Sequence, residues 1–167
     1  MENNQLKKAE DGLAGLFSKL PAMPENGKKT LVEWFPWISL VFGVLSLLAV
    51  LSFWRTAHAV DRLIDYSNAF SRAYGTGTVS NNLGLFFYLT LAVALVTGLL
   101  GVVAFSGLKA RSKKKGWNLL FLSQLVSLGA GILGAFSDYR YGAGIIGTLL
   151  GAAIGFYLLY QVRSYYK

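Results

Sequence analysis

The sequence predicts an all-α protein, a four-transmembrane-helix bundle with both termini on the cytoplasmic side. Three observations predict it. Residues 35–54, 83–108, 116–137 and 141–162 contain no charged side chain. The basic residues crowd into the connections on one side of these blocks. The chain is 54% hydrophobic and 14% charged, with a mean hydropathy of +0.46, too little polar surface for a water-soluble domain of 167 residues.

The blocks are 20 to 26 residues long. At about 1.5 Å of rise per residue, 22 residues reach roughly 33 Å, against a hydrocarbon core of about 30 Å. Backbone polar groups in lipid must be satisfied within the segment, so apolar runs of this length are helices. Orientation follows from Lys and Arg. Lys7, Lys8, Lys19, Lys28 and Lys29 precede the first block. Lys109, Arg111, Lys113, Lys114 and Lys115 separate the second from the third, and Arg163 and Lys167 follow the fourth. The other side holds Arg55, Arg62, Arg72 and Arg140. The richer side is cytoplasmic, which places both ends inside. Trp34, Phe35, Trp37, Trp54 and Trp117 sit at block edges, where an aromatic belt belongs.

Taken in order, residues 1–30 form a cytoplasmic segment. From Gln5 to Leu20, the residues Leu6, Ala9, Leu13, Leu16, Phe17 and Leu20 recur at helical spacing opposite Lys7, Lys8, Asp11 and Lys19. That pattern predicts an interfacial amphipathic helix on the anionic leaflet, with a mobile polar tail as the alternative. The segment lacks the apolar run of a signal peptide.

The first span occupies 31–54. Thr30-Leu-Val-Glu33 reads as a capping box that starts a helix at Leu31, with Pro36 a turn and a half inside it. The alternative is a start near Phe35. Residues 55–82 form an outer amphipathic helix and loop. At 100° per residue His58, Asp61, Asp65, Asn68 and Arg72 share one stripe with Arg62 beside it, opposite Val60, Leu63, Ile64, Phe70 and Tyr74. Gly75-Thr-Gly-Thr ends that helix, and Ser80, Asn81 or Asn82 caps the second span, 83–108. A basic loop, 109–115, leads to the third span, 116–137. A short outer loop, 138–140, leads to the fourth, 141–162, and a tail, 163–167, ends the chain.

The chemistry to be excluded is broad. No Asp, Glu, Lys, Arg or His lies within the four blocks, where an ionisable residue would mark function. No phosphate loop or nucleophile elbow is present, and the absence of Cys removes thiol chemistry and disulfides. His58, Asp61 and Asp65 could offer ligands to a divalent cation, but the expected reading is a solvated polar face with Asp61 or Asp65 paired to Arg62 or Arg72. No catalytic residue, cofactor or metal is expected, and the protein is expected not to be an enzyme. The net charge of +8 is spread between apolar blocks rather than gathered in a stripe, so nucleic acid is not an expected partner.

Packing motifs are stronger. Gly147, Gly151 and Gly155 form a doubled Gly-xxx-Gly, widened by Ala143, Gly144, Thr148 and Ala152. Ser123, Gln124, Ser127, Gly131, Gly134 and Ala135 share a face of the third span. Small residues let helix backbones approach closely, and such contact holds helices together where no hydrophobic force acts between them. The two faces are expected to pack within one chain, with a homo-oligomer or another membrane protein as the alternative occupant. Gln124 is the one bulky polar side chain near mid-span and is expected to bond a neighbouring helix; the alternative is a solute path lined by Gln124, Ser123 and Ser127.

The run Phe105-Ser-Gly-Leu-Lys-Ala-Arg, then Lys115-Gly-Trp-Asn-Leu-Leu-Phe, and the endings Gly155-Phe-Tyr-Leu-Leu-Tyr and Arg163-Ser-Tyr-Tyr-Lys resemble small, uncharacterised bacterial four-span membrane proteins. The resemblance implies a bacterial cytoplasmic membrane and assigns no functional residue. The expected partners are membrane lipid and another membrane protein or a second copy of the chain. The expected role is an accessory or scaffold subunit acting through helix contacts; an oligomeric small-solute transporter or channel subunit is the alternative.

Overall fold

The computed structural model describes residues 4–75, 77, 85–110, 114–135 and 145–166. They form five α-helices: α1 (Asn4–Phe17), α2 (Glu25–Ala73), α3 (Leu85–Lys109), α4 (Lys114–Ala135) and α5 (Ile145–Val162). A short 3-10 turn, Arg163–Tyr165, follows α5. Helices α2 to α5 are each long and apolar enough to cross a membrane. Their outward side chains support lipid as the solvent: Phe42 is 68% exposed and Ile146 71%, amid exposed Val41, Leu45, Leu48, Leu150 and Ile154. An apolar surface of this extent is not left open to water.

The first long helix departs most from expectation. It starts at Glu25, behind Pro24, and runs through the predicted start at Leu31 and the boundary after Trp54 without a break. The expected capping box does not form. Thr30 is already inside the helix, and its hydroxyl donates to the Asn26 carbonyl one turn back (3.0 Å). Pro24 explains the earlier start, because its extended backbone cannot continue a helix from the N-terminal side (ψ 144°). With 49 residues, α2 is roughly 73 Å long, more than twice the hydrocarbon thickness. It ends where Gly75 takes a left-handed backbone (φ 69°).

Helix α3 lies along α2 on one side and α4 on the other, and α4 packs on α5. The closest approaches occur at small residues. A Cβ built on Gly43 would lie 2.9 Å from both the Gly98 carbonyl oxygen and the Val102 nitrogen on α3. Across the same interface Ser39 donates to the Gly101 carbonyl (2.7 Å) and Ser46 to the Ala94 carbonyl (2.9 Å). Lower down, Gly107 of α3 meets Gly116 of α4 backbone to backbone. In α3 the residues Gly98, Gly101, Ala104 and Gly107 recur every three positions. A helix repeats every 3.6 residues, so this row drifts round the helix and serves α2 at one level and α4 at the next.

Burial is uneven along the bundle. The core consists of Val32 and Phe35 from α2, Ala104 and Leu108 from α3, Trp117 and Phe121 from α4, and Ala152, Phe156, Leu159 and Val162 from α5, with Tyr166. All but Ala152 lie toward the end where α1, the end of α3, the start of α4 and the C-terminal turn meet. This end also carries most of the Lys and Arg, and is called the basic end below.

Candidate functional site

At the basic end the N-terminal segment is strapped across the last turns of α5. Phe17 of α1 stacks on Tyr160 (centroids 5.4 Å apart, planes 10° apart) and tilts against Phe156. Trp117 stacks on Phe121 at 5.2 Å and meets Tyr160 edge-on at 5.9 Å. Aromatic residues suit this place because each adds a large apolar body and, in Trp and Tyr, one polar handle. The handles are used. The Trp117 indole N–H donates to the Leu159 carbonyl in the last turn of α5 (2.9 Å). Tyr160 donates to the Glu10 carbonyl (2.7 Å), and Tyr157 to the Pro21 carbonyl (2.9 Å). The Gln161 amide donates to Pro21 and accepts the Met23 N–H.

Charge completes the strap. The Glu10 carboxylate is almost wholly buried, with Arg163 at 2.5 Å and Lys114 at 3.8 Å. Arg163 also reaches Asp11 at 3.7 Å, and its guanidinium lies 5.8 Å from the ring centres of both Trp117 and Tyr160. At the start of α2, ahead of the apolar block, hydrogen bonds from Lys28 and Tyr165 and the charge of Lys28 hold the Glu25 carboxyl below its usual range. A buried carboxylate against two cations is a fastening: undoing it would leave an uncompensated charge.

Of the residues singled out for packing, Gly155 sits directly under the Gln124 side-chain amide, and Gly131 sits under Thr148. Both contacts join α4 to α5. Gly147 is half-buried, as are Ser123 and Gln124, whereas Ser127 is exposed. Gly151 is exposed, and among the described residues nothing beyond its own helix backbone lies within 4 Å of where a Cβ on it would stand. The row Gly43, Gly98, Gly101, Gly107 and Gly116 escaped the sequence reading, although its three-residue spacing in α3 was there to be seen. Connection 138–140 and the caps at Ser80, Asn81 and Asn82 lie outside the described residues, as do Ala143, Gly144 and Lys113.

Beyond Trp54, α2 has three faces. Ala57, Asp61, Ile64, Asn68 and Ser71 form the less exposed one, and Asp61, Asn68 and Ser71 are all partnered. The predicted polar stripe is therefore divided, with His58, Asp65, Arg62 and Arg72 exposed on a second face. His58 meets Trp54 edge-on at 4.8 Å, and the Arg72 Nε donates to the Asn68 carbonyl. No group of three His, Asp or Glu that could hold a metal occurs among the described residues. The third face is apolar and open: Leu63 is 68% exposed, Tyr66 77% and Phe70 68%, with Tyr74 continuing the row. No protein-family model, curated protein or solved structure matches the chain.

Proposed function

We propose that this is a small multi-pass protein of a bacterial cytoplasmic membrane, both termini inside, serving as an accessory or scaffold subunit for another membrane protein. The observation that carries the reading is the outer part of α2. Nineteen residues past its apolar block continue as helix, about 28 Å more, and carry the open row Leu63, Tyr66, Phe70 and Tyr74. In this reading the amphipathic outer segment is an arm, and Tyr and Phe are the residue types that anchor protein contacts. The exposed Gly151, flanked by Gly147 and Gly155, offers a second contact within the membrane. Gln124, seated over Gly155, supports helix packing rather than a solute path for that residue.

The test is site-specific photo-crosslinking in native membranes. A photoreactive aromatic at Phe70 or Tyr66 should yield one discrete protein adduct, and the same probe at Asp65 on the polar face should yield none. Adducts to lipid alone from both faces would refute the accessory role of the arm.

A further inference from the structure

A groove lies between α2 and α3 at the basic end. It is an open groove of about 200 Å³ lined by Val32, Glu33, Pro36, Trp37, Leu108 and Lys109. Its floor is apolar, since Val32, Pro36 and Leu108 are buried. Its two charges differ in sign and stand on different helices. Lys109, the last residue of α3, is held in place by two rings, its Nζ 5.7 Å from the centres of both Trp37 and Phe105. Those rings pack edge-to-face at 5.3 Å. A cation over aromatic faces keeps its charge while losing freedom, so Lys109 is pre-positioned.

Pro36 adds a third polar feature. An α-helical carbonyl normally accepts the N–H four residues ahead, and residue 36 has none to give to Val32. The Val32 carbonyl therefore lacks its helical donor at the same level of α2 that carries the Glu33 carboxylate. Two acceptors and one ammonium, at the boundary where the apolar block begins, complement a small zwitterion. Glu33 is already engaged within the chain, but a carboxylate has about four acceptor positions and takes a further donor.

We propose that this groove binds the headgroup of a membrane phospholipid bearing a primary amine. The phosphate meets Lys109, and the ammonium meets Glu33 and the Val32 carbonyl. The volume equals that of roughly seven liquid waters, enough for a phosphoethanolamine group and too little for acyl chains. The chains run instead along the exposed ridge Trp37, Val41 and Leu45 of α2, spaced four residues apart. An anionic headgroup without an amine would meet Lys109 but be repelled by Glu33. A choline headgroup has no N–H to give to either acceptor.

The experiment is native mass spectrometry of the full chain from micelles holding equal amounts of phosphatidylethanolamine, phosphatidylcholine and phosphatidylglycerol with the same acyl chains. The phosphatidylethanolamine adduct should exceed the phosphatidylcholine adduct about tenfold, the scale of one charge-assisted hydrogen bond. Lys109→Gln should reduce that adduct by a similar factor. Glu33→Gln should keep a phospholipid bound while bringing phosphatidylethanolamine and phosphatidylcholine level. Both side chains are exposed, so the variants keep their fold, as a circular dichroism melt would verify. Equal retention of the three lipids by the wild-type chain, or preference for phosphatidylglycerol, overturns the proposal. So does an unchanged phosphatidylethanolamine preference in both variants.

Discussion

Replacing Gly116 by Ala adds one methyl group where three backbone atoms leave no room. The new Cβ would stand 2.5 Å from the Leu108 nitrogen, 2.7 Å from the Gly107 carbonyl carbon and 3.0 Å from the Ala104 oxygen. Side chains could rotate aside; backbone cannot, so α3 and α4 must part by nearly an ångström. Around this point lie Leu108, Trp117 and Phe121, all fully buried. A radial gap of about 0.5–1 Å forfeits a quarter to a half of the dispersion attraction of each contact it opens. Overpacking of a close-packed site costs about 1–3 kcal/mol, and a backbone-limited site belongs at the upper end. Alanine regains little, because Gly116 is in the first turn of α4, so the expected loss is about 3 kcal/mol. Gly151→Ala is the matched control. It too adds one methyl to a helix, but into open space, and it should be neutral or raise stability by about 0.5–1 kcal/mol. Reversible unfolding by dodecyl sulfate titration, followed by tryptophan fluorescence and far-UV circular dichroism, measures both. A Gly116→Ala protein as stable as wild type would refute the reasoning, and so would a Gly151→Ala protein damaged equally.

Two further outcomes follow from the same contacts. Ser39→Ala removes the buried bond to the Gly101 carbonyl and should cost about 1 kcal/mol in the dodecyl sulfate titration, more than Ser46→Ala at its half-buried site. Glu10→Ala removes the buried carboxylate and leaves the part-exposed Arg163 with the more distant Asp11 and its two aromatic rings; it should loosen α1 by about 1.5 kcal/mol, so hydrogen exchange across α1 should speed up about tenfold, and unchanged exchange would refute the fastening.

The four apolar helices were legible because lipid imposes a rule that any window of sequence reveals: no charge for about 20 residues. The described parts of α3 and α4, Leu85–Lys109 and Lys114–Ala135, overlie the predicted blocks 83–108 and 116–137, and α3 ends one residue past its block. Hydropathy marks where a helix meets lipid, however, and not where the helix stops. Lys28, Lys29, Arg55, Asp61 and Arg62 are ordinary helix residues in water, so α2 extends through all of them. The packing seams were read only in part. Gly-xxx-Gly spacing drew attention to the fourth span, where Gly155 packs closely on Gln124 but a Gly151 Cβ would meet nothing beyond its own helix, while the three-residue row in α3, which makes the backbone-to-backbone contacts, was passed over. That row looks irregular as long as one partner is assumed and becomes regular once it serves two. The Glu10–Arg163 pair joins residues from opposite ends of the chain, and only the folded bundle brings them together.

The same distribution of burial bears on how such a protein would work. Aromatic stacking, the buried ion pair and the glycine contact between α3 and α4 all gather at the basic end, which makes that end stiff. Toward the other end, a Cβ on Gly151 would meet nothing beyond its own helix within 4 Å, and α2 carries its apolar row outward. Helix α2 links the two regions as one continuous rod, interrupted in its hydrogen bonding only at Pro36. A proline in a helix is the usual place for a bend, and here it lies at the level where Ser39 and Gly43 lock α2 onto α3. The lock sets the direction of everything beyond it. The far face of α2 is thus aimed by contacts made one to two turns past Pro36, and a partner bound to Leu63, Tyr66 and Phe70 would be held at an angle decided near the opposite end of the bundle. Loosening Gly43 or Ser39 should therefore disturb arm contacts some 30 Å away, at about 1.5 Å per residue, before it unfolds the span.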